Sequence, residues 1–259
     1  MIIIFFRFSL FVFLFHFNSA AQVKEHLTND IKHFFNVGGE IYSAPLNYDN
    51  QDWLNFSSVL GLTTASYFAD ETVRDFVQKH RADFLNSTAC VDDYFLYFCA
   101  AAMTTSYLYG LIGKNNYVRN LGLQLGEAMF YTGVTTFLFK VSFGRSRPYR
   151  NEGNHEFDFF QFDDSKQSFA SGHAAISFAF STVVAGQKEN FFWKAAWMTA
   201  AGLVASARIY NDKHWLSDVI MGSSIGYFFG RFVVDAHKNE LQSPTEIIPP
   251  PIINLSIRF

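Results

Sequence analysis

Five apolar runs follow one another after Asp93, and they constrain the fold more than any other feature of the chain. They span residues 94–113, 120–139, 167–187, 195–207 and 219–230. The second run contains one formal charge, Glu127, and the other four contain none. Apolar helical runs with short connections are typical of helix bundles. We therefore predict an all-α fold, a bundle of about five core helices preceded by a helical lead-in.

The bundle is predicted to lie in a membrane. The first three runs approach the length needed to cross a hydrocarbon core of roughly 30 Å, whereas the last two are shorter. If the helix ends near residues 140, 173 and 214 face outward, every opposite connection is basic, as expected of cytoplasmic loops. The basic residues of those connections are Lys114, Arg119, Lys188, Lys194, Arg231 and Lys238. The alternative is a soluble helical bundle with solvated loops.

Residues 1–21 resemble an export signal. Arg7 is the only charge in this segment, and a long apolar stretch leads to the small residues Ser19-Ala20-Ala21. This order is typical of a signal peptide that a peptidase removes. An uncleaved membrane anchor is the alternative, and either interpretation places the chain in the cell envelope.

The rest of the chain divides into three predicted parts. Residues 22–93 form a polar, mainly helical lead-in that carries no information about chemistry. Its first helix is expected to end at Gly38-Gly39. Residues 94–238 form the bundle, and residues 239–259 form a proline-rich tail. A net charge of -3 gives no reason to expect a nucleic acid partner. No protein partner is predicted.

The fifth run begins beside a histidine and an aspartate. His214 and Asp218 are four residues apart, so on one helix they share a face. The carboxylate is predicted to accept the Nδ1 proton, which leaves Nε2 with a lone pair for nucleophilic attack. Gly222, Gly226 and Gly230 continue this face and allow a neighbouring helix to approach closely. A capped histidine–aspartate pair at the surface is the alternative for this pair alone.

Two further stretches lie at helix ends that face the same way. Four cations crowd the end of the second run, where they either anchor the chain at an interface or bind an anion: Lys140, Arg145, Arg147 and Arg150. Ser171-Gly172-His173 opens the third run, and a helix N-terminus suits a phosphate. The Ser171 hydroxyl is expected to cap this helix or donate to the anion. Antiparallel succession then places these points and His214 on one face of the bundle.

Three ordered motifs carry a resemblance to a known family. They are Lys140 through Arg147-Pro148, then Ser171-Gly172-His173, and then Arg208 through His214 to Asp218. Over residues 94–235 the chain resembles the type 2 phosphatidic acid phosphatase superfamily, which also includes bacterial class A acid phosphatases and vanadium haloperoxidases. The resemblance implies a helical bundle and metal-free hydrolysis of a phosphate ester through a phosphohistidine.

The roles expected from charge and position agree with those that the resemblance implies. His214 attacks phosphorus, and Asp218 orients it. His173 protonates the leaving group and then activates water. The phosphate oxygens are bound by five groups: Lys140, Arg147, Ser171, Gly172 and Arg208.

The chain departs from the family pattern at two supporting positions. Ala170 stands where the pattern has proline, and Ala207 stands where it has serine, although Ser206 is adjacent. No metal site or other cofactor is expected, because no ligand spacing is found at the histidines considered, which are His26, His33, His80, His155, His173 and His214. His33, in particular, is interpreted as a surface residue.

The sequence therefore predicts a phosphatase that hydrolyses a lipid phosphate monoester or pyrophosphate at the periplasmic face of the inner membrane. The acidic and aromatic loop of residues 149–167 is expected to border the site and to present phenylalanines to an acyl chain or the membrane interface. Three alternatives stay open: a soluble periplasmic acid phosphatase of broad specificity, a vanadate-dependent haloperoxidase, and a degenerate anion-binding membrane bundle.

Overall fold

The computed structural model of the chain describes residues 2–82 and 91–242. Eight α-helices lie in these ranges: α1 Ile2–Ser43, α2 Asn50–Tyr67, α3 Asp70–Lys79, α4 Val91–Ile112, α5 Asn116–Phe143, α6 Gly172–Ala185, α7 Phe191–Tyr210 and α8 Leu216–Gln242. Within the same ranges, β-pairing is limited to an isolated bridge between Arg145 and Phe157. The prediction of an all-α fold is therefore confirmed.

Helices α4 to α8 are the five predicted core helices, although α5, α7 and α8 are longer than their apolar runs and α6 is shorter. Helix α6 has 14 residues, so it is shorter than the apolar run that predicted it. Helix α8 continues to Gln242, because charged residues such as Arg231 and Asp235 lie on its outer surface. The predicted tail therefore begins in this helix, and residues 243–259 lie outside the described part of the chain.

Helix α6 occupies the centre of the bundle and packs most closely on α8. Nine of its 14 residues are buried. A Cβ atom added at Gly222 would lie 2.4 Å from the Ser171 carbonyl oxygen, and one at Gly226 would lie 2.0 Å from the Ala175 carbonyl oxygen. These glycines allow the backbones to touch, as predicted. The contact places the first turn of α6 against the first turn of α8.

The lead-in differs from its prediction at Gly38-Gly39. Helix α1 passes through both glycines and ends at Ser43. Gly38 is buried, and a Cβ atom there would lie 2.3 Å from the Tyr131 hydroxyl oxygen of α5. The glycine therefore makes room for an aromatic ring and does not end the helix. Residues 2–21 of the predicted signal form the first part of α1, and cleavage of the signal stays a prediction.

Two of the described helices are long and apolar enough to cross a membrane, by length and composition alone. They are Tyr94–Ile112 of α4 and Leu216–Asn239 of α8. Helix α4 exposes large apolar side chains along its length, whereas α8 is partly enclosed by its neighbours. The sequence predicted a run of sufficient length for the first segment, but the run that it predicted for the second segment was too short.

We expect Gly226→Ala to destabilise the protein by about 1–3 kcal/mol, the usual range for overpacking a close contact. The added methyl group would collide with the Ala175 carbonyl, which belongs to the backbone of α6. Thermal unfolding measures the effect. Gly202→Ala in α7 is the matched control, since no atom lies within 4 Å of the methyl group that it adds. Equal unfolding temperatures for the two variants would contradict the close approach of α6 and α8.

Candidate active site

A pocket of about 450 Å³ opens where α5 and α7 end and where α6 and α8 begin. Six of the eight predicted site residues line it: Lys140, Arg147, Gly172, His173, Arg208 and His214. The other two, Ser171 and Asp218, are buried beside it. The alternating directions of the helices therefore bring the three motifs together, as the sequence predicted.

Lys140 lies in the last turn of α5, which ends because Gly144 adopts a left-handed conformation with a φ of 55°. A side chain at this glycine would collide with the Asp158 carbonyl, so the turn requires glycine. The Lys140 ammonium donates to the Gln167 carbonyl oxygen at 2.5 Å. Burial, followed by repulsion from Arg147, lowers the pKa of Lys140 to about 8.

The two arginines of the motifs are each paired with a carboxylate. Arg147 Nη2 lies 2.7 Å from Asp164 Oδ1, and the Asp164 side chain is 79% exposed. Arg208 donates to Asp92, which is buried at the start of α4. An anion can therefore displace the exposed Asp164 from Arg147, whereas the buried Asp92 stays bound to Arg208.

The N-terminus of α6 presents an unused hydroxyl. The Ser171 N–H donates to the Asp218 carbonyl oxygen at 3.0 Å. The Ser171 side chain forms no capping bond, which corrects the sequence prediction. Its Oγ is buried and has no hydrogen-bond partner among the described residues. A buried hydroxyl of this kind is costly unless a ligand accepts its proton.

His214 lies in the turn before α8, two residues ahead of the helix, so it does not share a helical face with Asp218. Its Nδ1 is 2.8 Å from the Ser168 carbonyl oxygen and 3.8 Å from Asp218 Oδ2. The carbonyl is thus the direct acceptor, and the carboxylate is a neighbouring charge. The prediction that Asp218 accepts the Nδ1 proton is therefore wrong, but the predicted tautomer of His214 still follows. Because a carbonyl can only accept, Nδ1 carries the proton and Nε2 keeps the lone pair.

Burial also keeps this imidazole neutral. His214 is 2% exposed, and desolvation lowers its pKa well below the usual 6.5 by more than the nearby Asp218 raises it. The cations of Lys140 and Arg208 act in the same direction as burial. The lowered pKa favours the neutral imidazole, which keeps a lone pair on Nε2.

Arg145 is buried beside the pocket and contacts Asp218. The sequence assigned no defined role to this arginine. Its guanidinium is 1% exposed and lies 2.7 Å from both Asp218 Oδ1 and Asp70 Oδ2. Asp70 also accepts from the backbone N–H and the hydroxyl of Ser217. Asp218 Oδ2 accepts from the Ser168 hydroxyl and the Trp215 N–H. The carboxylate beside His214 is therefore held by donors on both of its oxygens.

Sequence reasoning missed several of these contacts. Asp70 and Asp92 belong to the lead-in, whose sequence carried no information about chemistry. They lie 75 and 116 residues from the arginines that they contact. Lys213 also lines the pocket. In the sequence, its position next to His214 was the only sign of this. Ser206 does not substitute for the serine missing at Ala207, because its hydroxyl is exposed and donates to Gly202.

Residues 121–242 match the family model of the PAP2 superfamily, and they include all three motifs. The match covers just under half of the chain. The resemblance predicted from the motifs is therefore confirmed.

Two relatives from Porphyromonas gingivalis carry lipid phosphatase names. A lipid A 1-phosphatase is 31% identical over 112 residues, which are 42% of this chain and 21% of that protein. A lipid A 4'-phosphatase is 29% identical over 143 residues, which are 51% of this chain and 58% of that protein. The matches thus span only part of each relative's length.

One solved structure shows the same fold. It is the first transmembrane PAP2 type phosphatidylglycerolphosphate phosphatase from Bacillus subtilis, with a TM-score of 0.54 and 20% sequence identity. The alignment covers 72% of this chain and 95% of that protein. At this identity the likeness concerns the arrangement of the helices.

Replacing Arg145 by methionine is expected to destabilise the protein by about 3–5 kcal/mol, because Asp70 and Asp218 would lose their shared cation in a buried place. Chemical denaturation measures the change. Arg150→Met is the matched control, since Arg150 belongs to the same loop and its pair with Glu152 is exposed. If both variants unfold at the same denaturant concentration, Arg145 does not organise the site.

Proposed function

We propose that this chain is a metal-independent phosphatase that hydrolyses a phosphate monoester or pyrophosphate on a lipid through a phosphohistidine intermediate. One observation carries the proposal: the pocket places the neutral imidazole of His214 beside a second histidine and the cations of Lys140, Arg147 and Arg208. Cations arranged around a phosphoryl group stabilise the charge that its oxygens bear in the transition state.

The phosphate binds first. Lys140, Arg147 and Arg208 contact its oxygens, and Arg147 exchanges its exposed Asp164 partner for the substrate. The buried Ser171 hydroxyl donates to a further oxygen and thereby gains the acceptor that it lacks. The N-terminus of α6 adds the positive end of the helix dipole to the same site.

His214 then attacks. Its Nε2 lone pair forms a bond to phosphorus while the bond from phosphorus to the lipid oxygen breaks, and His173 gives a proton to the departing oxygen. The phosphorylated imidazole keeps its Nδ1 proton and becomes cationic. The Ser168 carbonyl accepts a hydrogen bond from that N–H, and the carboxylate of Asp218 stabilises the new positive charge at 3.8 Å.

Water completes the cycle. His173, now neutral, takes a proton from a water molecule, whose oxygen attacks phosphorus and releases Nε2 of His214. Inorganic phosphate leaves, and both histidines return to their first protonation states. Every step uses the side chains of the pocket and requires no metal ligand there.

Three observations support a lipid substrate at a membrane. The two Porphyromonas gingivalis relatives are named as phosphatases of lipid A. Helix α4 exposes Tyr97 and Ile112 by 74% and 78%, and such apolar surface favours contact with lipid. In the loop beside the pocket, Phe160 and Phe162 are each 75% exposed. We infer that these rings meet the membrane interface on the periplasmic side of the inner membrane.

The decisive experiment is phosphate release from a panel of substrates by the wild type and by His214→Ala. We expect the wild type to prefer a phosphorylated lipid, with lipid A 1- and 4'-phosphates tested beside phosphatidic acid, phosphatidylglycerol phosphate and a prenyl pyrophosphate. His214→Ala should lose about 10⁴-fold in rate, the scale seen when a nucleophile and its base are uncoupled.

His80→Ala is the matched control, because His80 is exposed at the end of α3 and should leave the rate unchanged. A wild type that prefers a soluble ester would indicate an acid phosphatase of broad specificity. Phosphate release that survives in His214→Ala would contradict the covalent mechanism.

The pH dependence should follow Lys140. Since its pKa is lowered to about 8, the ammonium is charged below pH 8 and loses its proton as the pH rises through that value. The rate constant kcat/KM of the wild type should therefore fall above pH 8. Lys140→Arg keeps its charge in this range, so its alkaline limb should move to higher pH. A wild-type profile without this limb would contradict the assignment.

A further inference from the structure

A second polar cluster lies inside the bundle, away from the phosphatase pocket. Glu127 of α5 is fully buried and lies between two histidines. Its Oε1 is 2.7 Å from Nδ1 of His33 in α1, and its Oε2 is 2.7 Å from Nε2 of His237 in α8. The cluster thus joins three helices that are distant in sequence.

The carboxylate needs a positive partner. Glu127 is the single formal charge in the apolar run of residues 120–139. Arg119, two turns earlier on α5, is 3.7 Å from Asp30. Among the described residues Glu127 contacts two histidines, His33 and His237, and these neutralise its charge only when an imidazole is protonated. A buried carboxylate is costly unless a cation compensates it, and a neutral histidine contributes only a hydrogen bond.

The geometry points to a divalent transition metal ion, and we propose that His33, Glu127 and His237 bind zinc or a similar ion. Two imidazoles and one carboxylate are a known ligand set for zinc, with metal–ligand distances of about 2.0–2.2 Å. The ligand atoms all lie within 4.8 Å of one another. In a tetrahedral site such atoms stand about 3.3–3.5 Å apart, so small side-chain rotations suffice to admit the ion.

Burial and access suit this assignment. The side chains of Glu127 and His237 are 0% and 6% exposed, whereas that of His33 is 15% exposed and leaves a path from the surface. Three protein ligands leave one tetrahedral position for water or another small molecule. The ion would fasten α1 to α5 and α8, so its expected role is to stabilise the bundle.

The cluster is independent of the proposed phosphatase chemistry. His237 lies near the end of α8, about 30 Å along the helix from its first turn, where Asp218 supports His214. Substitutions in the cluster therefore leave the pocket untouched. The contact with Glu127 corrects the expectation that His33 is a surface residue, and the metal proposal departs from the expectation of a chain without a metal site.

The test is metal binding to the purified full chain without a polyhistidine tag, after treatment with a chelator and desalting. Zinc added to the wild type should bind at one equivalent per chain and raise the unfolding temperature. Cobalt should bind at the same site and produce the visible absorption of a four-coordinate ion. Glu127→Gln and His237→Ala should each weaken zinc binding by more than about 100-fold. This loss exceeds the one expected when a residue that only hydrogen-bonds to a metal ligand is replaced.

His80→Ala serves as the control and should bind zinc as the wild type does. If either core variant unfolds, His33→Ala removes a ligand at the edge of the cluster and should also lose the cobalt spectrum. A folded wild type that binds no stoichiometric zinc would overturn the proposal, and so would full zinc affinity in Glu127→Gln and His237→Ala. Phosphate release by the same samples reports separately on the phosphatase proposal.

Discussion

The pocket depends on a buried arginine that joins two carboxylates from different helices. Arg145 contacts Asp70 at the start of α3 and Asp218 in the first turn of α8, each at 2.7 Å. Removing three charges from water is favourable only when their geometry satisfies one another's hydrogen bonds. This network therefore fixes the beginning of α8 and, with it, the turn that carries His214.

Beside this network, three of the cations that line the pocket each have a hydrogen-bond acceptor. Lys140 donates to a carbonyl, Arg147 contacts an exposed carboxylate and Arg208 contacts a buried one. The partners differ in how readily they can be replaced. A carbonyl or an exposed aspartate yields to a phosphate at little cost, whereas a buried aspartate stays and orients its arginine. The proposed binding of a phosphate thus requires the exchange of partners at Lys140 and Arg147 but not at Arg208.

Helix α8 connects this pocket with the polar cluster at the other end of the bundle. Its glycines bring it against α6, which places Ser171 beside Asp218. Its far end carries His237 to Glu127. One helix therefore supports a pocket lined by cations at one end and a carboxylate with imidazoles at the other. The two sites carry opposite charge, and our proposals assign them opposite kinds of ligand.

The sequence by itself determined the five core helices, the three motifs and the face on which they meet, because apolar periodicity and helix direction are local properties. It also determined the glycine face of α8. Only the tertiary structure decided which groups complete the pocket. Asp70 and Asp92 come from segments far along the chain, and the acceptor for His214 is a backbone carbonyl, which residue types do not encode. His33, Glu127 and His237 meet for the same reason: their contacts span 94 and 110 residues, and no spacing within one helix announces them.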